Sequence, residues 1–258
     1  MATPADIIAG KTPLPTSLDS AGIRARIAAD ILRRSVFSAR TAERAYLDAM
    51  QGVLRRVASG ALADQDAEDA LRAWLDGSGY LPPEGAEGTI TDLSSHRRIK
   101  LILNTNADMA AGAAQAQAQD TLTLDAYPAW ELIRAGHTRE PRDWPARWRE
   151  AGRSVNWDRA ARDRFAARKD SPIWQAIGDG AGGFTDTLGN PFPPFAFNSR
   201  MTWAALPRAE AEALGITGSP APPDAPLSPG ERDLIAALEA HGPGFASSLV
   251  SELEAIAS

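Results

Sequence analysis

The sequence of 258 residues contains no cysteine, which excludes disulfide bonds and thiolate chemistry. Its three histidines, His96, His137 and His241, lie far apart and form neither an H-x-H nor an H-x-x-x-H pair. A structural zinc site needs clustered thiolate or imidazole ligands. We therefore predict no metal site and no cofactor.

Long apolar runs are also absent. No stretch approaches the roughly 18 consecutive apolar residues that a membrane-spanning helix needs. The opening residues, Met-Ala-Thr-Pro-Ala-Asp, lack the basic and apolar segments of a signal peptide. Neither a G-x-S-x-G motif nor a Walker A motif occurs. We therefore expect a chain that folds in the cytoplasm and has no membrane partner. Because 44% of its residues are hydrophobic, we also expect it to bury a core.

Positive charge is scarce overall but locally concentrated. The net charge of −6 argues against a wholly basic nucleic-acid-binding surface, yet residues 134–169 carry 11 Lys/Arg against 5 Asp/Glu. Guanidinium groups bind phosphates and flat rings stack on bases, so this stretch is a candidate nucleic-acid or partner contact. The alternative is a solvated face above buried tryptophans. The candidate contact residues are Arg142, Trp144, Arg147, Trp148, Arg149 and Arg153.

Apolar periodicity predicts an α+β fold that is mainly helical. Helical spacing dominates the first 80 residues and returns from Ser94 or Ser95 to about Gln119. Short helices are predicted over 143–152 and 207–214. A small antiparallel sheet is expected from segments near 121–134 and 184–197. The predicted organisation is an N-terminal helical region (1–90), a central module (91–205), and a Pro-rich linker with short C-terminal helices (206–258).

Two proline-locked strings flank a glycine-rich stretch in the central module. They are Asp170-Ser-Pro-Ile-Trp174 and Pro193-Pro-Phe-Ala-Phe-Asn-Ser-Arg-Met201. Proline fixes φ and restricts the preceding residue, so neither string suits an ordinary helix or a central strand. The stretch between them fits G-x-G-x-x-G at Gly178–Gly183, but no helix pattern follows, so we interpret it as a loop. Trp130, Trp174 and Phe195 are expected to be buried.

An ordered set of motifs resembles the phage Mu F-like head morphogenesis domain. It begins with Arg97-Arg-Ile-Lys-Leu-Ile-Leu-Asn-Thr-Asn106, continues through Tyr127–Arg134 and Pro141-Arg142, and ends with the two proline-locked strings. The resemblance covers roughly residues 94–203. The motif residues are Arg97, Asn104, Thr105, Asn106, Pro141, Asp170, Pro172, Trp174, Pro193, Pro194, Asn198 and Arg200.

The resemblance implies a minor head protein of a tailed phage or prophage. Such proteins act with portal and capsid proteins in the virion head or procapsid, are made in the host cytoplasm, and are not usually enzymes. Many members carry histidines and cysteines where this chain has Arg142-Asp-Trp144, Ser199 and Met201. Those departures favour a role in shape rather than catalysis, with no catalytic residue predicted. Whether the Arg-rich stretch meets double-stranded DNA or protein stays open, as does self-association.

Two other functions are carried as alternatives. The first is a nuclease-like or toxin-like enzyme of phage origin, motivated only by the clustering of His137, Glu140, Arg142 and Asp143. The second is a helical adaptor unrelated to phages.

Overall fold

Helices make up most of the regular structure in the computed structural model, which describes residues 2–27, 29–136, 142–157 and 164–220. The helices in these ranges are α1 (Pro4–Ala9), α2 (Ser20–Arg26), α3 (Ala29–Arg33), α4 (Arg44–Ala58), α5 (Asp64–Gly77), α6 (His96–Gln117), α7 (Thr121–Ala126), α8 (Trp144–Ser154), α9 (Ile173–Gly178) and α10 (Arg208–Ala213). The strands are β1 (Thr12–Pro13), β2 (Ser35–Val36), β3 (Ala129–Arg134), β4 (Ala166–Arg168) and β5 (Met201–Leu206). The fold is therefore α+β and mainly helical, as predicted.

The N-terminal core forms between α1, α4, α5 and the first half of α6. Apolar residues of α4 recur every three or four positions, which places Tyr46, Met50 and Leu54 on one buried face. Leu71 of α5 and Ile99 of α6 join the same cluster. Burial of these side chains stabilises helices that would be marginal alone.

Helix α6 is the longest element and runs through both halves of the described structure. Its start is fixed by Ser95, whose side chain accepts a hydrogen bond from the Arg98 N–H at 3.2 Å. The predicted helix from Ser94 or Ser95 to about Gln119 is thus confirmed. Because Ile99 and Ile102 share a core with Leu47, the region before residue 90 and the start of α6 pack together. The predicted domain boundaries themselves stay predictions.

The sheet has three antiparallel strands in the order β4-β3-β5. Trp130 of β3 lies opposite Ala167 of β4 and Ala205 of β5. The predicted partner segment 184–197 is wrong, because it forms a loop with one bridge, Thr187 to Ala196. The extended reading of residues 121–126 is also wrong. Asp120 accepts from the Thr123 N–H at 2.7 Å and starts helix α7.

A second core is built from aromatic rings between the sheet, α8 and α9. Trp174 is its centre, with ring centroids 5.5 Å from Trp148, 6.2 Å from Phe195 and 5.3 Å from Trp203. Trp130 stacks on Trp203 at 5.1 Å. The predicted burial is confirmed, since Trp130, Trp174 and Phe195 are 3%, 2% and 0% exposed.

The glycine-rich stretch after α9 forms turns. Gly180, Gly182 and Gly183 have φ angles of 78°, 86° and 87°, and the next regular element is strand β5 rather than a helix. The loop interpretation is confirmed, and the dinucleotide fingerprint is excluded because it needs a helix directly after the glycines.

None of the helices in the described ranges is long and apolar enough to cross a membrane. The C-terminal helices predicted after residue 220 lie outside the described residues.

Candidate functional site

A polar cleft lies between α6 and the loop of residues 192–200, which we name the closing loop. The cleft encloses about 350 Å³. On the helix side, Arg97, Lys100, Asn104 and Asp108 recur at positions i, i+3, i+7 and i+11, which places them on one face. Pro194, Asn198 and Arg200 complete the opposite wall. We name this site the α6 cleft.

The closing loop has an irregular backbone held by internal hydrogen bonds. Phe195, Asn198 and Arg200 have φ angles of 54°, 51° and 54°, in the left-handed region that non-glycine residues rarely adopt. The buried Ser199 hydroxyl donates to the Pro194 carbonyl and accepts from the Met201 N–H. Such a conformation persists only where surrounding contacts determine it, and loops of this kind cluster at functional sites.

The loop approaches α6 closely at Gly112. A Cβ atom at this position would lie 2.2 Å from the Pro193 carbonyl oxygen, inside van der Waals contact. Only glycine allows the helix and the loop to meet at this distance. The position of the closing loop, and with it the wall of the α6 cleft, therefore depends on Gly112.

Positive charge predominates in the α6 cleft. Arg97 and Lys100 are exposed and Arg200 is half-buried, while Asp108 is the acidic residue among them. Desolvation raises the pKa of the Asp108 carboxyl, and the neighbouring Arg200 opposes that rise. His96, also at the cleft, places Nδ1 against the buried Glu68 carboxylate. The cleft thus presents cations with little local neutralisation and suits an acidic or polar partner segment.

Seven of the predicted motif residues are brought together at or beside the cleft. Arg97, Asn104 and Thr105 lie on α6, and the remainder lie on the closing loop. The loop members are Pro193, Pro194, Asn198 and Arg200. Asn106 lies on another face of α6, where its side-chain amide donates to the Ile102 carbonyl at 2.9 Å.

The first proline-locked string is an anchor placed away from the α6 cleft. The Trp174 indole N–H donates to the Arg168 carbonyl at 2.9 Å, and Asp170 forms an ion pair with the Arg168 guanidinium. Pro172 is the N-cap residue of α9. The expectation that this string is not helical is therefore wrong for Ile173 and Trp174, because proline is tolerated at the start of a helix. These residues stabilise the aromatic core. The motif residue Pro141 lies outside the described residues.

The tryptophans of the Arg-rich stretch are core residues, which corrects their predicted role as contact residues. Trp144 and Trp148 are 3% and 1% exposed, so neither ring has a face free to stack on a base. The alternative weighed from the sequence, tryptophans buried beneath a charged face, describes them better. The expected helix is confirmed, since both lie on α8, which Asp143 caps by accepting from the Ala146 N–H.

Two of the predicted contact arginines are also committed to internal contacts. Arg147 is 8% exposed, donates to Asp186 Oδ1 at 2.7 Å, and lies 4.3 Å above the Phe184 ring. Arg142 donates to Asp186 Oδ2 at 2.5 Å and to the Phe197 carbonyl at 2.6 Å. Partial burial alone would raise the pKa of Asp186, but hydrogen bonds from both arginines hold it below its usual value. This network ties α8 to the closing loop, and correcting the prediction leaves the exposed Arg149 and Arg153 as candidate contacts.

The nuclease-like alternative stays a prediction, because only two of the four residues that motivated it lie within the described structure. Arg142 and Asp143 serve the structural contacts given above, and His137 and Glu140 lie outside the described residues. Within the described ranges, no three His, Asp or Glu side chains gather in a group that could hold a metal ion.

Sequence reasoning missed three residues that shape these sites. Lys100 and Asp108 share the helical spacing of Arg97 and Asn104, a signal that was available in the sequence. Asp186 carries no local signal, because its partners lie 44 and 39 positions earlier in the chain.

Comparison of the chain with protein-family models, with curated proteins and with solved structures finds no match. The resemblance to the Mu F-like domain therefore rests on the ordered motif residues.

Proposed function

We propose that this chain is a minor head or head morphogenesis protein of a tailed phage or prophage, with a structural rather than catalytic role. It acts with portal and capsid proteins in the procapsid or virion head, after synthesis in the host cytoplasm. The observation that supports this proposal is the convergence of motif residues from α6 and from the closing loop on one cleft. Residues far apart in sequence that meet at one surface favour a shared role in binding.

The α6 cleft is the proposed contact surface for the portal or capsid partner. Its exposed Arg97, Lys100 and Asn198 offer charge and hydrogen bonds at an accessible surface. The irregular closing loop is fixed by Ser199 and by the approach at Gly112, so the cleft is preorganised. Preorganisation lowers the entropic cost of binding. An acidic segment of the partner is the complementary chemistry.

Co-purification tests this proposal with the full chain and the portal and capsid proteins encoded in the same genome. The variant Arg97→Glu/Lys100→Glu reverses two exposed charges of the cleft, and we expect it to weaken retention of the partner at least tenfold. The matched control Arg149→Glu/Arg153→Glu reverses two exposed charges on α8 and should retain it. Equal retention by both variants overturns the assignment of the cleft. The absence of portal, terminase and capsid genes beside this one, or no binding to any of their products, overturns the head-protein proposal itself.

Contact with packaged DNA is a second part of the proposal and belongs to α8. Arg149 and Arg153 are its exposed cations, and Arg153 also pairs with Glu150. If both contact phosphates, affinity for duplex DNA should fall with salt, and Arg149→Glu/Arg153→Glu should reduce the log–log salt slope by about 2. Here Arg97→Glu/Lys100→Glu is the control that should keep the slope. Binding that does not respond to salt, or an unchanged slope in the α8 variant, removes DNA from the proposed partners.

A further inference from the structure

A second, smaller cleft lies on the neighbouring face of α6, between that helix, the N-terminal segment and the loop that follows α9. It measures about 100 Å³, and we name it the inner cleft. Its walls are largely apolar, with side chains of Ile23, Leu32, Phe37, Met109, Leu188 and Phe197. The polar residues of the lining include two cations, Lys11 and Arg98.

Lys11 is a buried cation without a counter-charge among the residues that the structure describes. The residue is 9% exposed, and its ammonium group makes no hydrogen bond or ion pair with any described residue. Burial lowers its pKa from 10.5 to about 8, so most molecules still carry the charge at pH 7. Its backbone carbonyl is fixed by Gln51, whose side-chain amide donates at 2.7 Å. Burying a charged ammonium group costs folding free energy unless a bound anion compensates the charge.

Arg98 adds a second cation to the same wall. One of its terminal nitrogens donates to Ser38 Oγ at 2.5 Å and to the Ala39 carbonyl at 2.6 Å, and the other donates to the Ile90 carbonyl at 3.2 Å. Its Nε atom is buried and has no hydrogen-bond partner within the described part of the chain. None of the described residues that line the inner cleft is Asp or Glu. The lining therefore combines two cations with apolar walls.

We propose that the inner cleft binds a small amphipathic carboxylate, with its carboxylate on Lys11 and Arg98 and its hydrocarbon chain against the apolar walls. Charge selects the head group, because the two cations face no Asp or Glu among the described residues of the lining. The apolar walls select the chain. The volume limits the ligand, since about 100 Å³ is less than the roughly 150 Å³ cavity that holds benzene in another protein. The inner cleft is partly open, so a chain of roughly four to six carbons would place only its first carbons in that space and its end at the mouth. This site adjoins the α6 cleft, with which it shares Leu101 and Thr105, but it does not depend on the proposed head function.

Isothermal titration of the full chain tests the proposal with three probes, namely sodium acetate, sodium hexanoate and 1-hexanol. Each methylene that enters the apolar part should improve affinity about fourfold, so hexanoate should bind at least tenfold more tightly than acetate. A charge-assisted contact is worth about tenfold or more, so hexanoate should also exceed 1-hexanol by at least that factor. This comparison uses the unaltered protein. No binding of hexanoate, or affinity no greater than that of acetate or 1-hexanol, overturns the proposal.

Variants then locate the site. Lys11→Met keeps the length of the side chain without its charge, and we expect at least a tenfold loss of hexanoate affinity with a melting temperature no lower than that of the wild type. The matched control Arg56→Met removes an exposed cation from α4 and should leave the affinity unchanged. Unchanged affinity in Lys11→Met, or an equal loss in both variants, overturns the assignment to the inner cleft.

Discussion

At the scale of single residues, this structure is shaped by where its cations find partners. Arg142 and Arg147 share Asp186, and each interaction joins segments distant in sequence. Lys11 has no such compensation from any described residue. The buried Arg147, paired with a carboxylate, and the buried Lys11, without one among the described residues, are opposite electrostatic situations. They should respond in opposite ways to removal of the charge.

We expect Lys11→Met to stabilise the folded protein at pH 7. A pKa lowered from 10.5 to about 8 corresponds to a cost of about 3 kcal/mol for keeping the buried ammonium charged, and methionine fills similar space without that cost. The folded state releases its proton at a lower pH than the unfolded chain, so wild-type stability should rise between pH 8 and 10.5. In Lys11→Met this rise should be absent.

Chemical denaturation at pH 7 and pH 10 measures both effects. Lys100→Met, which removes an exposed lysine, serves as the control and should keep the wild-type dependence on pH. A Lys11→Met protein that is less stable than the wild type at pH 7 would contradict the account of Lys11 as an uncompensated buried charge.

Much of the candidate site could not be predicted from single residues. Arg147 and Trp148 were recognisable as a basic and aromatic pattern, but their burial depends on other segments. Arg147 contacts Asp186 and Phe184, and Trp148 packs on Trp174. Lys11 gave no local signal beyond being one of few lysines among many arginines. For α6 the sequence did indicate a polar face, because Arg97, Lys100, Asn104 and Asp108 share helical spacing.

At the scale of elements, long-range contacts decided what local patterns left ambiguous. The length and apolar face of α6 made it predictable, whereas β4 has three residues and becomes a strand only beside β3. The alternating Thr-Leu-Thr-Leu at residues 121–124 suggested a strand, yet the Asp120 cap turned the segment into helix α7. The closing loop was predicted as a proline-locked string, but its close contact with α6 was not predicted.

Gly112 and Gly52 provide a matched test of that approach. Gly112→Ala should destabilise the protein by about 2–4 kcal/mol, because its Cβ would overlap the Pro193 carbonyl oxygen, a backbone atom that cannot move alone. Gly52→Ala, in α4 with no atom within 4 Å of its added Cβ, should stabilise by about 0.5–1 kcal/mol. Urea denaturation gives both values. Two substitutions with effects of the same sign would show that the loop does not pack on α6 as described.

At the scale of the whole molecule, α6 connects two cores. Its residues from Ile99 to Ala110 pack in the N-terminal core, and Ala116 packs against the aromatic core. A rigid helix that contributes to two cores couples their unfolding, because melting either core exposes part of the same helix. If the regions before and after residue 90 folded independently, the two cores would instead unfold separately.

Tryptophan fluorescence can decide between these alternatives, because six of the seven tryptophans lie in or against the aromatic core and only Trp74 packs against the N-terminal core. Leu47→Ala truncates a side chain with no exposed surface in the N-terminal core and should cost about 2–5 kcal/mol. If α6 couples the cores, the thermal midpoint recorded by fluorescence should fall by roughly 4–15 °C. The control Leu81→Ala, at a side chain that is 82% exposed, should leave the midpoint unchanged. A midpoint that stays at the wild-type value in Leu47→Ala, while circular dichroism shows early loss of helix, would mean that the two cores unfold independently and that α6 breaks between them.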